Sequence, residues 1–200
     1  MTKRVVGLLA LALAVSAGSA AAQETGTPVF KSPYRTFTTS EVGVVFSDPG
    51  SGWALEGFYG YGRGRWDVSF QGGFRDTEAD ETVILLGADA RTRVLESSES
   101  FPLDGALTLG VGANINGGTH LLIPIGISLG RRILLEGSET SFVPYAHPVI
   151  VPVLGEDVGD DVLVAVGLGV DIRFGRSFDI RVAGALGDYD GVSIGVAFVR

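Results

Sequence analysis

The chain has 200 residues, with 23 acidic against 15 basic side chains, a net charge of −8 and no cysteine. That balance disfavours a nucleic-acid binder, which would usually be basic, and without cysteine the chain cannot rely on the disulfides that staple many small exported domains. Yet 46% of its residues are apolar, and beyond the N-terminus no run of 18 apolar residues supplies a spanning helix.

The chain opens with the features of a secretory signal peptide. "MTKR" is a short basic start, "VVGLLALALAV" an apolar run, and "SAGSAAAQ" supplies small residues for cleavage after Ala20-Ala21-Ala22. Residues 1–22 are therefore expected to be removed, which makes the mature chain still more acidic by the loss of Lys3 and Arg4. Residues 23–37, "QETGTPVFKSPYRTF", hold two prolines without periodicity and read as a linker, so the domain itself is expected over 38–200. The mature chain's only lysine, Lys31, lies in that linker.

From there the apolar pattern has a period of two, the mark of strands. Such segments fall near 39–47, 53–62, 65–74, 81–94, 104–116, 119–131, 141–154, 161–174, 177–187 and 191–199. The first is the weakest, so about ten strands are predicted, with eight as the alternative. Gly- and Asp-rich links such as "DPGSG", "GRGR", "NGG", "GRS" and "DYDG" separate them, as in hairpins. Pro144, Pro148 and Pro152 fall in a single segment. A proline removes a ladder donor, so a bulge or irregular stretch is expected there. In "DIRFGRSFDIR", a hairpin closed through Gly175-Arg176-Ser177 sets Phe174 opposite Phe178, Arg173 opposite Asp179, Ile172 opposite Ile180 and Asp171 opposite Arg181.

One face of that ribbon is wholly apolar and the other is ionic, so the question is which one meets water. The non-apolar face elsewhere is built of Gly110, Gly112, Asn114, Gly126, Ser128, Gly130, Ala183, Ala185, Ser193, Gly195 and Ala197. Such small residues suit the crowded inside of a narrow cylinder better than the surface of a soluble sheet. A 13-residue strand rises about 43 Å, or about 30 Å when tilted by roughly 45°, enough for the lipid-facing band of a membrane barrel. With strands alternating up and down, the outward aromatics Tyr61, Trp66, Phe142, Phe174, Phe178 and Phe198 gather at one end as half of an interfacial girdle. Arg63, Arg65, Arg131, Arg132, Arg176 and Arg200 join them there, while acidic residues crowd the opposite end. The expected fold is an all-β, up-and-down antiparallel transmembrane β-barrel. Its inward polar network is expected to comprise Glu56, Asp67, Gln71, Asp89, Arg91, Arg93, Asp171, Arg173, Asp179 and Arg181.

The signal peptide, the alternating strands and the last segment, "GVSIGVAFVR", together resemble the small outer-membrane β-barrel proteins of Gram-negative bacteria, of the OmpA/OmpW-like or opacity-protein kind. Val192, Ile194, Val196 and Phe198 match the apolar alternation ending in an aromatic residue with which such proteins close, and Val199 and Arg200 depart from it. The resemblance implies outer-membrane location, lipid and lipopolysaccharide as surroundings, and contact with the barrel-assembly machinery during insertion. A monomer is expected.

Chemistry is sparse. His120 could serve as a general base near Asn114, Asn116 and Thr119, but "HLL" and "HPV" both lack the His-Xaa-Ser motif that barrel deacylases share. His147 sits beside Pro148 and near Tyr145, where packing is the simpler role. Metal ligands of the His/Cys type are absent, and "GEDVGDD" lacks EF-hand spacing. No catalytic residue, metal or cofactor is therefore expected. The sequence reads as a non-enzymatic integral outer-membrane barrel with a structural role or a narrow pore. The alternatives are a soluble periplasmic barrel binding an apolar ligand and a lipid-modifying surface enzyme.

Overall fold

The computed structural model describes residues 30–33, 39–48, 52–77, 81–116, 118–155, 161–188 and 191–200. The expected signal peptide, most of the 23–37 stretch and the core of "GEDVGDD" lie outside them. Among the described residues all regular structure is β: β1 (Ser40–Asp48), β2 (Trp53–Arg63), β3 (Trp66–Asp76), β4 (Thr82–Leu95), β5 (Asp104–Asn116), β6 (Gly118–Leu122), β7 (Ile125–Gly130), β8 (Ile133–Leu134), β9 (Ser141–Gly155), β10 (Asp161–Phe174), β11 (Phe178–Gly187) and β12 (Gly191–Val199).

Apart from β6, β7 and β8, each strand pairs antiparallel with its neighbours in sequence, and β1 pairs with β12 from Glu41↔Val199 to Asp48↔Val192, closing the sheet on itself. β6 and β7 share one position between β5 and β9, and β8 is a two-residue extension beside β9, so the circumference has ten strand positions. Closure satisfies the backbone groups that an open edge would expose. The strand starting near residue 39, the weakest in the sequence, is the one that completes the ring.

The β10–β11 hairpin has the register read from its sequence, with Asp171↔Arg181, Ile172↔Ile180, Arg173↔Asp179 and Phe174↔Phe178 as partners. Gly175 holds φ +61° in its three-residue loop, a left-handed conformation that β-branched residues resist. Gly175→Val should therefore cost about 1–2 kcal/mol, read as a lower thermal midpoint in detergent, whereas Gly175→Asn should be nearly neutral because asparagine tolerates this region.

The proline-bearing segment departs from expectation. β9 runs unbroken for 15 residues, and all of Ser141 to Val153 pairs with β10. The irregularity lies in the neighbouring position, where the chain breaks between β6 and β7 at Ile123-Pro124. Residues of one parity on a strand direct their N–H and C=O toward the same neighbour. The carbonyls of Pro152 and Pro144 accept from the N–H groups of Ile123 (3.0 Å) and Arg131 (3.3 Å). All three missing donors therefore face the β6/β7 side, and the β10 ladder loses nothing.

Alternation sorts the side chains into two populations. Outward positions carry Val42, Val44, Phe46, Tyr59, Phe70, Leu86, Leu109, Ile150, Val164, Leu168 and Ile194, all exposed. Among the described residues, charge occurs on outward strand positions only at strand ends, at Asp48, Arg63 and Asp76. The inward positions hold the buried polar and ionic groups. The molecule is thus apolar outside and ionic within.

Candidate functional site: the barrel interior

The ionic groups assemble in two bodies inside the barrel, toward the end where the chain leaves β12. The first spans β1, β2, β10 and β11. Arg181 donates Nη1–H to Glu41 Oε1 at 3.2 Å and a second, shorter bond to Oε2; its Nη2 also reaches Asp179 Oδ2 at 3.1 Å. Arg173 grips the same Asp179 with two parallel bonds, Nε to Oδ1 at 2.6 Å and Nη2 to Oδ2 at 2.7 Å. Such a fork fixes orientation as well as charge. The Arg181 guanidinium also lies 5.3 Å from the Phe58 ring centroid, an attractive cation–π placement. Beside this cluster Arg132, exposed and outside the strands, is pushed below the ordinary arginine value by partial desolvation and then by the Arg173 charge.

The second body is built around residues 30–33, which lie inside the barrel. Phe30, Lys31 and Ser32 are all buried. The Lys31 ammonium donates to Asp89 and to Ser69, and Ser69 Oγ donates to the same Asp89 oxygen at 2.6 Å. The Lys31 backbone N–H donates to His147 Nδ1 at 3.0 Å, and its carbonyl accepts from Ser128 Oγ. Arg91, 1% exposed, donates to the Ser32 carbonyl and pairs with Asp67 at 3.0 Å. Because His147 Nδ1 accepts, the neutral ring carries its proton on Nε2, which sits 2.8 Å from Thr108 Oγ1 and donates to it. Phe30 meets the His147 ring edge-on, with centroids 6.0 Å apart. Gly167 makes room for it, since a Cβ there would overlap the Phe30 ring.

Of the residues expected inside, Glu56, Asp67, Gln71, Asp89, Arg91, Asp171, Asp179 and Arg181 are buried, and Arg93 and Arg173 are half-buried on the same inward face. Asp67, Arg91 and Asp89 gather around residues 31–32, and Arg173, Asp179 and Arg181 form the other cluster. Glu56 and Gln71 stand further along β2 and β3. The reading from sequence missed Glu41, because it lies on the weakest strand, and the anchoring roles of Lys31, Ser128 and His147.

Outside, Tyr61, Trp66, Phe174 and Phe198 are exposed, and Phe142 and Phe178 are half-buried. Phe178 packs between Phe174 and Phe198 at 6.1 and 5.3 Å. A second aromatic group, not read from the sequence, stands at the opposite end. Trp53 stacks on Phe46 at 6.1 Å and meets Phe74 edge-on at 5.4 Å. From Trp66 to Phe74 along β3 is about 26 Å, or about 20 Å along the axis at a tilt of roughly 40°. His120 is half-buried at the second end, with Asn114 and Gly155 as its strand partners, and its ring makes no hydrogen bond among the described residues. No group of three or more His, Asp or Glu side chains placed to hold a metal occurs among the described residues.

No family model matches the chain. No curated protein matches it either. Among solved structures, the arrangement is similar to that of a de novo designed transmembrane β-barrel (14% identity, TM-score 0.44, covering 84% of this chain and 99% of that one). It is also similar to the β domain of the Bordetella autotransporter BrkA (13%, TM-score 0.49, 80% and 98%) and to a bacterial polysaccharide outer membrane secretin (15%, TM-score 0.43). The match covers 74% of this chain and spans just over half of the secretin chain, 56%.

Proposed function

We propose that this chain is an integral outer-membrane β-barrel protein that serves the envelope structurally, with a lumen closed by its own side chains and by residues 30–33. The observation that carries the reading is the inversion of polarity. The ring of strands presents Val, Leu, Ile and Phe to its surroundings between two aromatic belts, while Asp, Glu, Arg and Lys are paired inside. In water that outer surface would be an exposed apolar patch far larger than monomeric soluble proteins carry. In a bilayer it is the expected lipid-facing band. A soluble barrel holding an apolar ligand would need the opposite arrangement.

The buried, paired ionic groups and residues 30–33 inside the ring favour a structural role over an open pore. His120, whose ring makes no hydrogen bond among the described residues, lends no support to surface catalysis, and the proposal is non-enzymatic. Export through the signal peptide, insertion by the barrel-assembly machinery and a lipopolysaccharide environment belong to this reading, as does the absence of a cofactor. Ten strand positions exceed the eight of OmpA-type barrels, so the relationship is drawn to small outer-membrane barrels in general, with the apolar alternation of β12 as the feature shared with the OmpA/OmpW-like and opacity kinds. The test is membrane fractionation with a heat-modifiability gel. The protein should partition with the outer membrane and change mobility on boiling. Recovery in the soluble fraction without detergent would refute the proposal.

A further inference from the structure

Residues 30–33 are held as a bound peptide is held. Each is addressed by a different part of the wall: Phe30 by Gly167 and His147, the Lys31 ammonium by Asp89 and Ser69, its backbone by His147 and Ser128, the Ser32 carbonyl by Arg91, and Pro33 by the open space over Gly130. These groups come from β3, β4, β7, β9 and β10, so the barrel reads both a side-chain charge and the backbone, the two elements of peptide recognition. The wall also offers more than these four residues use. One inward layer beyond Ser69 and Asp89, and two layers beyond, Gln71 and Asn114 are buried, and both carboxamide atoms of Gln71 and Oδ1 of Asn114 make no hydrogen bond among the described residues. Buried carboxamides of this kind are strong candidates for further backbone contacts. The other ionic body, Glu41–Arg181–Asp179–Arg173, is complete without the segment, so the wall keeps a paired scaffold when the segment leaves.

We infer that the barrel interior is a binding groove for a peptide in which an aromatic residue precedes a lysine, and that Phe30–Pro33 is its resident, displaceable occupant. A bound segment closes the lumen and a vacated groove opens it. The conductance readout rests on the membrane reading above; the binding readout, made in detergent, does not.

The test uses the full-length chain. Lys31→Glu sets a carboxylate against Asp89 and should expel the segment. The probe is a fluorescently labelled synthetic peptide, PVFKSPYR, corresponding to residues 28–35. The variant is expected to bind it saturably and at least about tenfold more tightly than the wild type, whose own segment competes; each tenfold corresponds to about 1.4 kcal/mol. The same peptide with glutamate in place of lysine should not bind, and adding Asp89→Asn to the variant should abolish binding. In liposomes Lys31→Glu should conduct above the wild-type level and be closed by the lysine peptide. His147→Ala, which removes the acceptor for the Lys31 N–H, provides the same readouts should Lys31→Glu fail to fold. A heat-modifiable, membrane-inserted variant that neither binds the peptide nor conducts above wild type would overturn the inference while leaving the membrane reading intact. Failure to partition with membranes would instead defeat that reading.

Discussion

Arg181→Met is expected to destabilise the protein by about 3–5 kcal/mol, because it takes the cation from between two buried carboxylates, leaving Asp179 to Arg173 alone and Glu41 without its guanidinium fork. Glu41 and Asp179 both accept from Arg181, and neither is exposed enough to recover that loss through water. The size of the effect comes from buried negative charge left undercompensated rather than from the intrinsic strength of the ion pair, which yields a sharper expectation. Adding Glu41→Gln to Arg181→Met should recover a large part of the loss, since removing both members of a buried pair can be nearly neutral. Arg181→Lys keeps the charge but lacks the two-pronged fork that spans Glu41 and Asp179, so its cost should be intermediate. Urea-induced unfolding of the refolded protein in phospholipid vesicles measures all three. A loss below about 1 kcal/mol for Arg181→Met would mean that water reaches the cluster freely.

Leu168→Arg should cost about 2–4 kcal/mol in vesicles, the depth-dependent penalty for a guanidinium on the lipid face near the midplane. Leu168 stands at the middle of β10, 47% exposed and outward. On a soluble protein an exposed leucine away from special features is replaced within about 0.5 kcal/mol, so the two architectures predict different outcomes for one substitution. Depth supplies the control. Phe174→Arg, at the end of the same strand and in the aromatic belt, should cost only about 0–1 kcal/mol beyond the lost ring contacts, because the charge reaches the interface. Equal penalties at both positions, or none at either, would contradict a bilayer around the barrel.

Much of the architecture was legible because period-two alternation survives in nearly every strand. The hairpin at 171–181 shows why: its cross-strand partners are chemically matched on both faces, so only one register suits it. What was not legible falls into two kinds. The placement of residues 30–33 has no periodic signature, since four residues with a proline carry no alternation. A charge argument could have found it. The inward positions hold Glu41, Glu56, Asp67, Asp89, Asp104, Asp171 and Asp179 against fewer guanidiniums, so the interior lacks a cation, and Lys31 is the mature chain's one lysine. The second kind concerns neighbours. The irregularity at the prolines moved from β9 to the β6/β7 position because the affected donors all face one side, a relation fixed only once the strand order is known. The second aromatic belt likewise required Phe46, Trp53 and Phe74 to be brought together across three strands.

The chain has two tryptophans, one in each belt, and both face outward: Trp66 is 59% and Trp53 38% exposed. Reconstituting the wild-type protein in vesicles whose acyl chains carry bromine at defined depths therefore tests the inverted polarity without any substitution. Shallow bromines should quench the emission strongly and those near the bilayer centre weakly, matching two belts at the two interfaces. Emission indifferent to bromine at every depth, from a protein that remains in the aqueous phase, would contradict the account.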